Sequence, residues 1–150
     1  NDITVVATYF MVVEALRAAS YLENMGIAVE VIDLRTLSPL DKEAVVTSVE
    51  KTGRLLVTDT GWTTYGISAE IVALVAEEIG SDMKSNPRRV ALPDVPTPTT
   101  NALANEFYPR AEDLVVNILE SMGTSPQGPI IIDQGGIPLD IPGNRFVGPF

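Results

Sequence analysis

The sequence predicts an α/β protein in which helices cover both faces of a mainly parallel sheet, a three-layer α/β/α arrangement. Short apolar segments rich in β-branched residues alternate along the chain with segments whose apolar residues recur at helical spacing. This alternation is typical of parallel strands joined by right-handed helical crossovers. The length of 150 residues suits one domain with a substantial buried core.

The chain opens with one predicted strand and one predicted helix. Ile3–Ala7 is a short apolar segment and predicts the first strand, whereas Met11–Met25 has the spacing of an amphipathic helix that stops before Gly26. We expect Glu14 on the exposed side of this helix. The residues expected to face the core are Val12, Ala15, Leu16, Ala19 and Leu22.

A second strand and helix follow. Ile27–Leu34 is β-branched and bounded by turn residues, which predicts a strand in the interior of the sheet. Asp41–Thr52 predicts a helix, with Asp41 at its start and Gly53 just past its end. The residues expected to pack on the sheet are Leu40, Ala44, Val45 and Val49.

The same alternation continues to residue 122. Leu55–Thr58 predicts a third strand that ends in a loop over Asp59–Gly66, and Ile67–Ile79 predicts a helix. Arg88–Leu92 predicts a fourth strand, and Ala111–Met122 predicts a last amphipathic helix.

The composition changes after residue 122. Residues 123–150 contain five of the 11 prolines and six of the 11 glycines, so we predict a domain over 1–122 and a Pro/Gly-rich extension over 123–150. Within this extension Ile130–Ile132 has strong β propensity, and Phe146, Val147 and Phe150 are apolar. The segment either adds as a strand to a neighbouring molecule or forms a loose tail.

The charge balance limits the partners. Ten basic against 20 acidic residues give a net charge of −10, which disfavours nucleic acid and acidic lipid surfaces and favours basic protein partners. No apolar run is long enough to span a membrane, and no signal-peptide pattern opens the chain. Asn1 leads almost directly into a strand, which is typical of a piece cut from a longer chain.

The absence of cysteine and histidine removes thiolates and imidazoles from the available chemistry, so few catalytic arrangements remain. Carboxylates are the remaining candidates for acid/base work: Asp33, Asp59, Glu70 and Asp94. The three aspartates follow strands, so they would lie along one edge of the sheet, where oxygen ligands suit a divalent cation. The favoured interpretation is that each aspartate caps a turn.

Two loops carry further candidate contacts. Asp33 lies at the end of the second predicted strand and Arg35 just after it, where they either meet a partner or pair with each other. Gly61 and Gly66 have the spacing of a phosphate-binding loop but are followed by Ile-Ser rather than Lys-Ser or Lys-Thr, so a small-molecule or anion-binding module is only the alternative. Trp62 and the tyrosine at 65 either form a binding surface or cover the sheet edge.

Several segments together resemble the C-terminal domain of transketolase-type enzymes, most of all that of beta subunits of thiamine-diphosphate-dependent 2-oxo acid dehydrogenases. The most specific is the run VIDLRTLSPLD at 31–41, and the resemblance extends over about 2–122. The segments that carry it are Ala7–Leu16, Val29–Asp41, Gly53–Trp62, and Asp94–Pro98 followed by Phe107–Pro109.

The resemblance implies a parent enzyme that decarboxylates a 2-oxo acid on thiamine diphosphate with magnesium and passes the acyl group to a lipoyl arm. Cofactor-binding and proton-transferring residues would belong to preceding domains. We therefore predict no catalytic, cofactor-binding or metal-binding residue in this fragment, which alone is expected to be inactive. The domain would assist dimerisation, support the active-site entrance and help to dock the acyltransferase. Relatives also carry an extra antiparallel strand ahead of the one that begins here at Ile3.

The partners implied are the preceding thiamine-diphosphate-binding domain, the alpha subunit, a second beta subunit and the basic subunit-binding domain of the lipoyl acyltransferase. The compartment implied is the cytoplasm, or the mitochondrial matrix in a eukaryote. The residues predicted to contact the missing domains or a second subunit are Arg35, Asp59, Gly61, Trp62 and Gly66. The alternative for all five is that they only shape turns.

Overall fold

The computed structural model describes residues 2–100, 103–104 and 107–132. Strands and helices alternate along these ranges, and a short 3₁₀ turn at Gly80–Asp82 precedes the fourth strand. The elements are β1 (Ile3–Ala7), α1 (Phe10–Glu23), β2 (Val29–Asp33), α2 (Lys42–Thr52), β3 (Leu55–Trp62), α3 (Ile67–Ile79), β4 (Arg88–Leu92) and α4 (Ala111–Ser121).

The strands form one sheet in the order β2-β1-β3-β4, and each of the three strand pairs is parallel. Val5 of β1 lies opposite Val31 on one side and Leu56 on the other, which fixes the register at the centre of the sheet. The predicted fold class is confirmed. The prediction that the second strand is interior was wrong, because β2 lies at the edge and is only half-buried.

Two hydrophobic clusters hold the three layers together. Residues of β1, β3 and β4 pack with α1 and α4 on one face, and other residues of β1 and β3 pack with α2 and α3 on the opposite face. Burial of one aliphatic side chain contributes about 1.5–3 kcal/mol, whereas an exposed ion pair contributes at most about 1 kcal/mol. These clusters therefore dominate the stability of the described domain.

Helix α1 presents a different face to the core from the predicted one. Leu16 is largely exposed, whereas Glu14 is fully buried. One oxygen of the Glu14 carboxylate accepts a 2.7 Å bond from the Arg17 guanidinium, and the other accepts a 2.9 Å bond from the Ala111 N–H at the start of α4. The Arg110 guanidinium lies 3.9 Å from the same carboxylate. Packing of α4 against this side of α1 thus turns a predicted surface charge into a buried link.

Helix α2 begins at Lys42, where the Asp41 carboxylate caps it by accepting a 3.0 Å bond from the Ala44 N–H. Val45 and Val49 are buried as predicted, but Ala44 is exposed.

The start of the predicted extension packs on its own domain. Ile130 and Ile132 contact the cluster under α1 and α4, and the Ile132 N–H donates to the Glu112 carboxylate at 3.2 Å. Residues 130–132 form no strand. The predicted apolar contacts at 146, 147 and 150 lie outside the described residues, and the boundary at residue 122 stays a prediction.

Candidate functional site

The loop between β3 and α3 is organised by one buried carboxylate. Asp59 is 2% exposed; its Oδ1 accepts a 2.5 Å bond from the Gly61 N–H, and its Oδ2 accepts a 3.2 Å bond from the Ser68 N–H. β3 continues through Asp59 to Trp62, so the prediction that the strand ends at Thr58 was wrong. The carboxylate therefore ties the end of β3 to the first turn of α3.

Both glycines of this loop allow close approach. A Cβ atom at Gly66 would lie 2.2 Å from the backbone oxygen of Trp62, and a Cβ atom at Gly61 would lie 2.8 Å from Asp59 Oδ1. Gly66 has no side chain to cap α3, and Asp59 supplies the missing acceptor and the negative charge that a helix N-terminus favours. Asp59, Gly61 and Gly66 thus act together to shape the turn.

The aromatic residues of the same loop face solvent. Trp62 is 59% exposed and Tyr65 is 99% exposed. Tyr65 also has a φ of 58°, which L-residues rarely adopt. The interpretation that these aromatics cover the sheet edge is therefore wrong for Tyr65, and Trp62 covers the edge only in part.

A second group of contacts joins this loop to β4. The Thr63 N–H and hydroxyl both donate to the Leu92 carbonyl at 2.9 Å, and Arg89 donates to the Thr63 carbonyl at 2.7 Å. Asp94 accepts bonds from the N–H and the hydroxyl of Thr64. The sequence analysis missed this link, because no motif in the sequence pairs Thr64 with a residue 30 positions away.

Arg35 lies apart from the other predicted site residues. Its Nε donates to Asp33 Oδ2 at 3.1 Å at the end of β2, and its side chain is 85% exposed. Asp59, Gly61, Trp62 and Gly66 gather around the end of β3 and the turn that follows it. Arg35 follows β2, which is separated from β3 by β1, so Arg35 lies at the edge of the sheet. An ion pair as exposed as that of Arg35 with Asp33 contributes at most about 1 kcal/mol to stability.

The aspartates do not assemble into a metal site. Asp33 pairs with an arginine, while Asp59 and Asp94 each accept bonds from the backbone of a turn, as the favoured interpretation predicted. Within the part of the chain that the structure describes, no three acidic, histidine or cysteine side chains converge closely enough to hold a metal ion. Glu70 is exposed in the first turn of α3.

The start of α3 is also a poor site for an anion. A helix N-terminus attracts phosphate through its free N–H groups and its dipole. Here the Asp59 carboxylate already binds two N–H groups, and Asp94 adds a second negative charge to the same loop. An incoming diphosphate would meet repulsion from both side chains.

Two surface depressions flank the edge strand. One of about 450 Å³ lies between β2 and α2, where Glu30, Asp41 and Glu43 make it acidic despite the 2.9 Å pair between Glu30 and Lys51. The other, of about 370 Å³, lies between α1 and β2 and is lined in part by Leu16, Ile27 and Val29. No helix within the described ranges is long and apolar enough to span a membrane.

The sequence of this chain is similar to that of known enzyme subunits. It is 40% identical over 124 residues to the acetoin:2,6-dichlorophenolindophenol oxidoreductase subunit beta of Bacillus subtilis (strain 168), covering 82% of this chain and 36% of the relative. It is 41% identical over 115 residues to the pyruvate dehydrogenase E1 component subunit beta of Staphylococcus epidermidis, covering 77% and 35%. The mitochondrial pyruvate dehydrogenase E1 component subunit beta of Pisum sativum is 40% identical over 115 residues, covering 77% and 32%. The chain thus spans about a third of the length of these relatives.

The fold is similar to that of a solved structure described as a split gene transketolase, inactive beta4 tetramer. The TM-score is 0.71 at 29% sequence identity, and the match covers 83% of this chain and 40% of the other. Residues 1–114 match the family described as transketolase, C-terminal domain. The resemblance seen in the sequence is confirmed, and the chain belongs to the transketolase C-terminal domain family.

Proposed function

We propose that this chain is the C-terminal domain of the beta subunit of a thiamine-diphosphate-dependent 2-oxo acid dehydrogenase, with a role in dimerisation and docking rather than catalysis. The observation that carries the proposal is the identity of 40–41% to bacterial and mitochondrial beta subunits over at least 115 residues. The whole enzyme would decarboxylate a 2-oxo acid and acylate a lipoyl group, in the cytoplasm or the mitochondrial matrix.

The polar groups of the described residues support a structural role. The Asp59 carboxylate is occupied by two backbone N–H groups, and Asp94 is occupied by Thr64. Among the described residues no group of oxygen ligands suits magnesium, and at the N-terminus of α3 the Asp59 carboxylate already takes the place that a diphosphate would need. These residues do not fit thiamine diphosphate, which we assign to preceding domains of the parent subunit.

The five predicted interface residues divide into two roles under this proposal. Trp62 and Arg35 are exposed and would touch a neighbouring domain or subunit directly. Asp59, Gly61 and Gly66 would act indirectly, because they hold the loop that presents Trp62.

The edge strand β2 suits two further contacts. Its side chains Val29, Val31 and Ile32 are only half-buried, and we assign its outer edge to the extra antiparallel strand that the family resemblance implies. The acidic depression between β2 and α2 has the charge that a basic subunit-binding domain of a lipoyl acyltransferase requires. Association through it would weaken as the salt concentration rises.

The test is to express two forms of the parent beta subunit together with the alpha subunit. One form is intact, and the other lacks the region that corresponds to residues 1–150. We expect the deletion to impair beta–beta association in sedimentation analysis and to lower release of carbon dioxide from the 2-oxo acid. Decarboxylation by the 150-residue chain alone would contradict the proposal. The alternative, a free-standing anion-binding module, predicts a monomer with a tightly bound anion, which the charges of Asp59 and Asp94 disfavour.

A further inference from the structure

Large apolar side chains are exposed after every strand of the sheet. Because the strands are parallel, the loops that follow them lie at one edge, the carboxyl edge. We name this set the carboxyl rim; its members are 50–99% exposed and comprise Tyr9, Leu37, Trp62, Tyr65 and Val95. Its three aromatic side chains together expose about 450 Å² of surface.

Two tyrosines of the carboxyl rim adopt unfavourable backbone conformations. Tyr9 has φ 54° and ψ −130°, and Tyr65 has φ 58°. Such conformations cost about 1–3 kcal/mol each in residues other than glycine. A glycine at either position would avoid this cost. Burial of the tyrosine side chains within the domain does not compensate for it, since both side chains face solvent. Strain of this kind clusters at functional positions rather than at positions that only shape the fold.

The surrounding structure holds both tyrosines in place. The Tyr9 carbonyl accepts a 3.2 Å bond from the Val12 N–H in the first turn of α1, and the Arg110 guanidinium lies 4.9 Å from the ring centre of Phe10. Tyr65 stands between Thr64, which binds Asp94, and Gly66. The backbone at both tyrosines is therefore preorganised, which lowers the entropic cost of binding.

We propose that the carboxyl rim packs against the preceding domain of the same beta subunit, with Tyr9, Trp62 and Tyr65 as its buried aromatic anchors. This inference rests on the proposed function. The relatives are about three times as long as the matched region, and the family is a C-terminal domain, so under the proposed function a large preceding part of the subunit would meet this domain. Tyrosine, tryptophan and arginine dominate binding energies at interfaces, and the exposed Arg35 lies at the same edge.

A second copy of the same rim is a poorer occupant. Each isolated domain carries a net charge of −10, so two of them repel one another unless the rest of the parent subunit brings them together, as the proposed dimerisation would. The aromatic anchors also supply about half of the roughly 800 Å² that one partner contributes to a standard interface. Leu37, Val95 and Arg35 can supply much of the remainder.

Alkylation of introduced thiols tests the proposal, because the chain contains no cysteine. Tyr9→Cys and Tyr65→Cys place a thiol on the carboxyl rim, and Met25→Cys is the matched control. Met25 is also about half exposed but follows α1 at the opposite edge of the sheet. Rates are measured by mass spectrometry of the labelled peptides, in the 150-residue chain and in the parent subunit, with circular dichroism as a check of folding.

We expect alkylation at positions 9 and 65 to be at least about tenfold slower in the parent than in the isolated chain, with position 25 changed less than about twofold. Equal rates in both proteins would overturn the inference. Protection that appears in the isolated chain and increases with its concentration would also overturn it, because the occupant would then be a second copy. The sequence upstream of Asn1 tests the proposed function separately: absence of a thiamine-binding domain there refutes that function whatever the alkylation rates.

Discussion

Replacement of Asp59 by asparagine tests whether this carboxylate organises the loop between β3 and α3. The asparagine side chain has the same shape but only one acceptor oxygen, whereas Asp59 binds two N–H groups, those of Gly61 and Ser68. Whichever way the asparagine amide is oriented, its NH₂ group faces the backbone N–H group of either Gly61 or Ser68, so two donors oppose each other. Because Asp59 is 2% exposed, water cannot readily replace the lost acceptor.

The expected cost follows from these two bonds. A hydrogen bond to a charged group contributes about 1.5–3 kcal/mol, and the interaction of a carboxylate with a helix N-terminus adds about 0.3–1 kcal/mol. We therefore expect Asp59→Asn to lower the free energy of unfolding by about 2–4 kcal/mol. Urea denaturation followed by circular dichroism gives this value, and fluorescence of Trp62, the single tryptophan, reports on the loop itself.

Asp94→Asn is the matched control. Asp94 also accepts two bonds, from the backbone and the hydroxyl of Thr64, but it is exposed. Water can replace those bonds, so we expect a loss below about 1 kcal/mol. A cost for Asp59→Asn that is no larger than that of Asp94→Asn would refute the assignment of Asp59 as the organising residue.

Three further substitutions test other parts of the structure by the same denaturation measurement. Glu14→Ala should lower stability by about 3–5 kcal/mol, because it leaves two largely buried guanidinium groups without their carboxylate; a loss no larger than that of the exposed Glu23→Ala would contradict this. Gly66→Ala should cost about 1–3 kcal/mol, since its Cβ would lie 2.2 Å from a backbone oxygen. Gly80 has open space around it, so Gly80→Ala should not lower stability. Equal losses of stability for Gly66→Ala and Gly80→Ala would show that close packing at Gly66 is unimportant. Tyr65→Gly should raise stability by about 1 kcal/mol by relieving backbone strain, and a fall would refute that strain.

The sequence predicted most elements well, because their patterns were regular and clearly bounded. The observed bounds of β1, α3 and β4 match the predictions. The third strand was predicted too short, since Asp59-Thr-Gly61 has the composition of a turn. In the structure Asp59 turns inward and the strand continues to Trp62.

Features that depend on tertiary packing could not be predicted in this way. Glu14 was expected at the surface because it lies off the predicted apolar face of the helix, but two arginines and the start of α4 surround it. The position of β2 at the sheet edge depends on strand order, which hydrophobic periodicity does not encode.

The same distinction applies to the candidate site. Asp59, Gly61, Trp62 and Gly66 come together because they are neighbours in sequence, whereas Arg35 lies one strand away because β1 intervenes. Their role at an interface stays a prediction. The strain at Tyr9 and Tyr65 had no signal in the sequence, since tyrosine gives no indication of a positive φ.

Calorimetric titration of thiamine diphosphate with magnesium tests most directly whether this domain is structural rather than catalytic. The account predicts no binding to the isolated 150-residue chain at micromolar concentrations, and binding to the parent beta subunit assembled with its alpha subunit. Micromolar affinity of the isolated chain for the cofactor, or release of carbon dioxide from a 2-oxo acid by that chain, would contradict it.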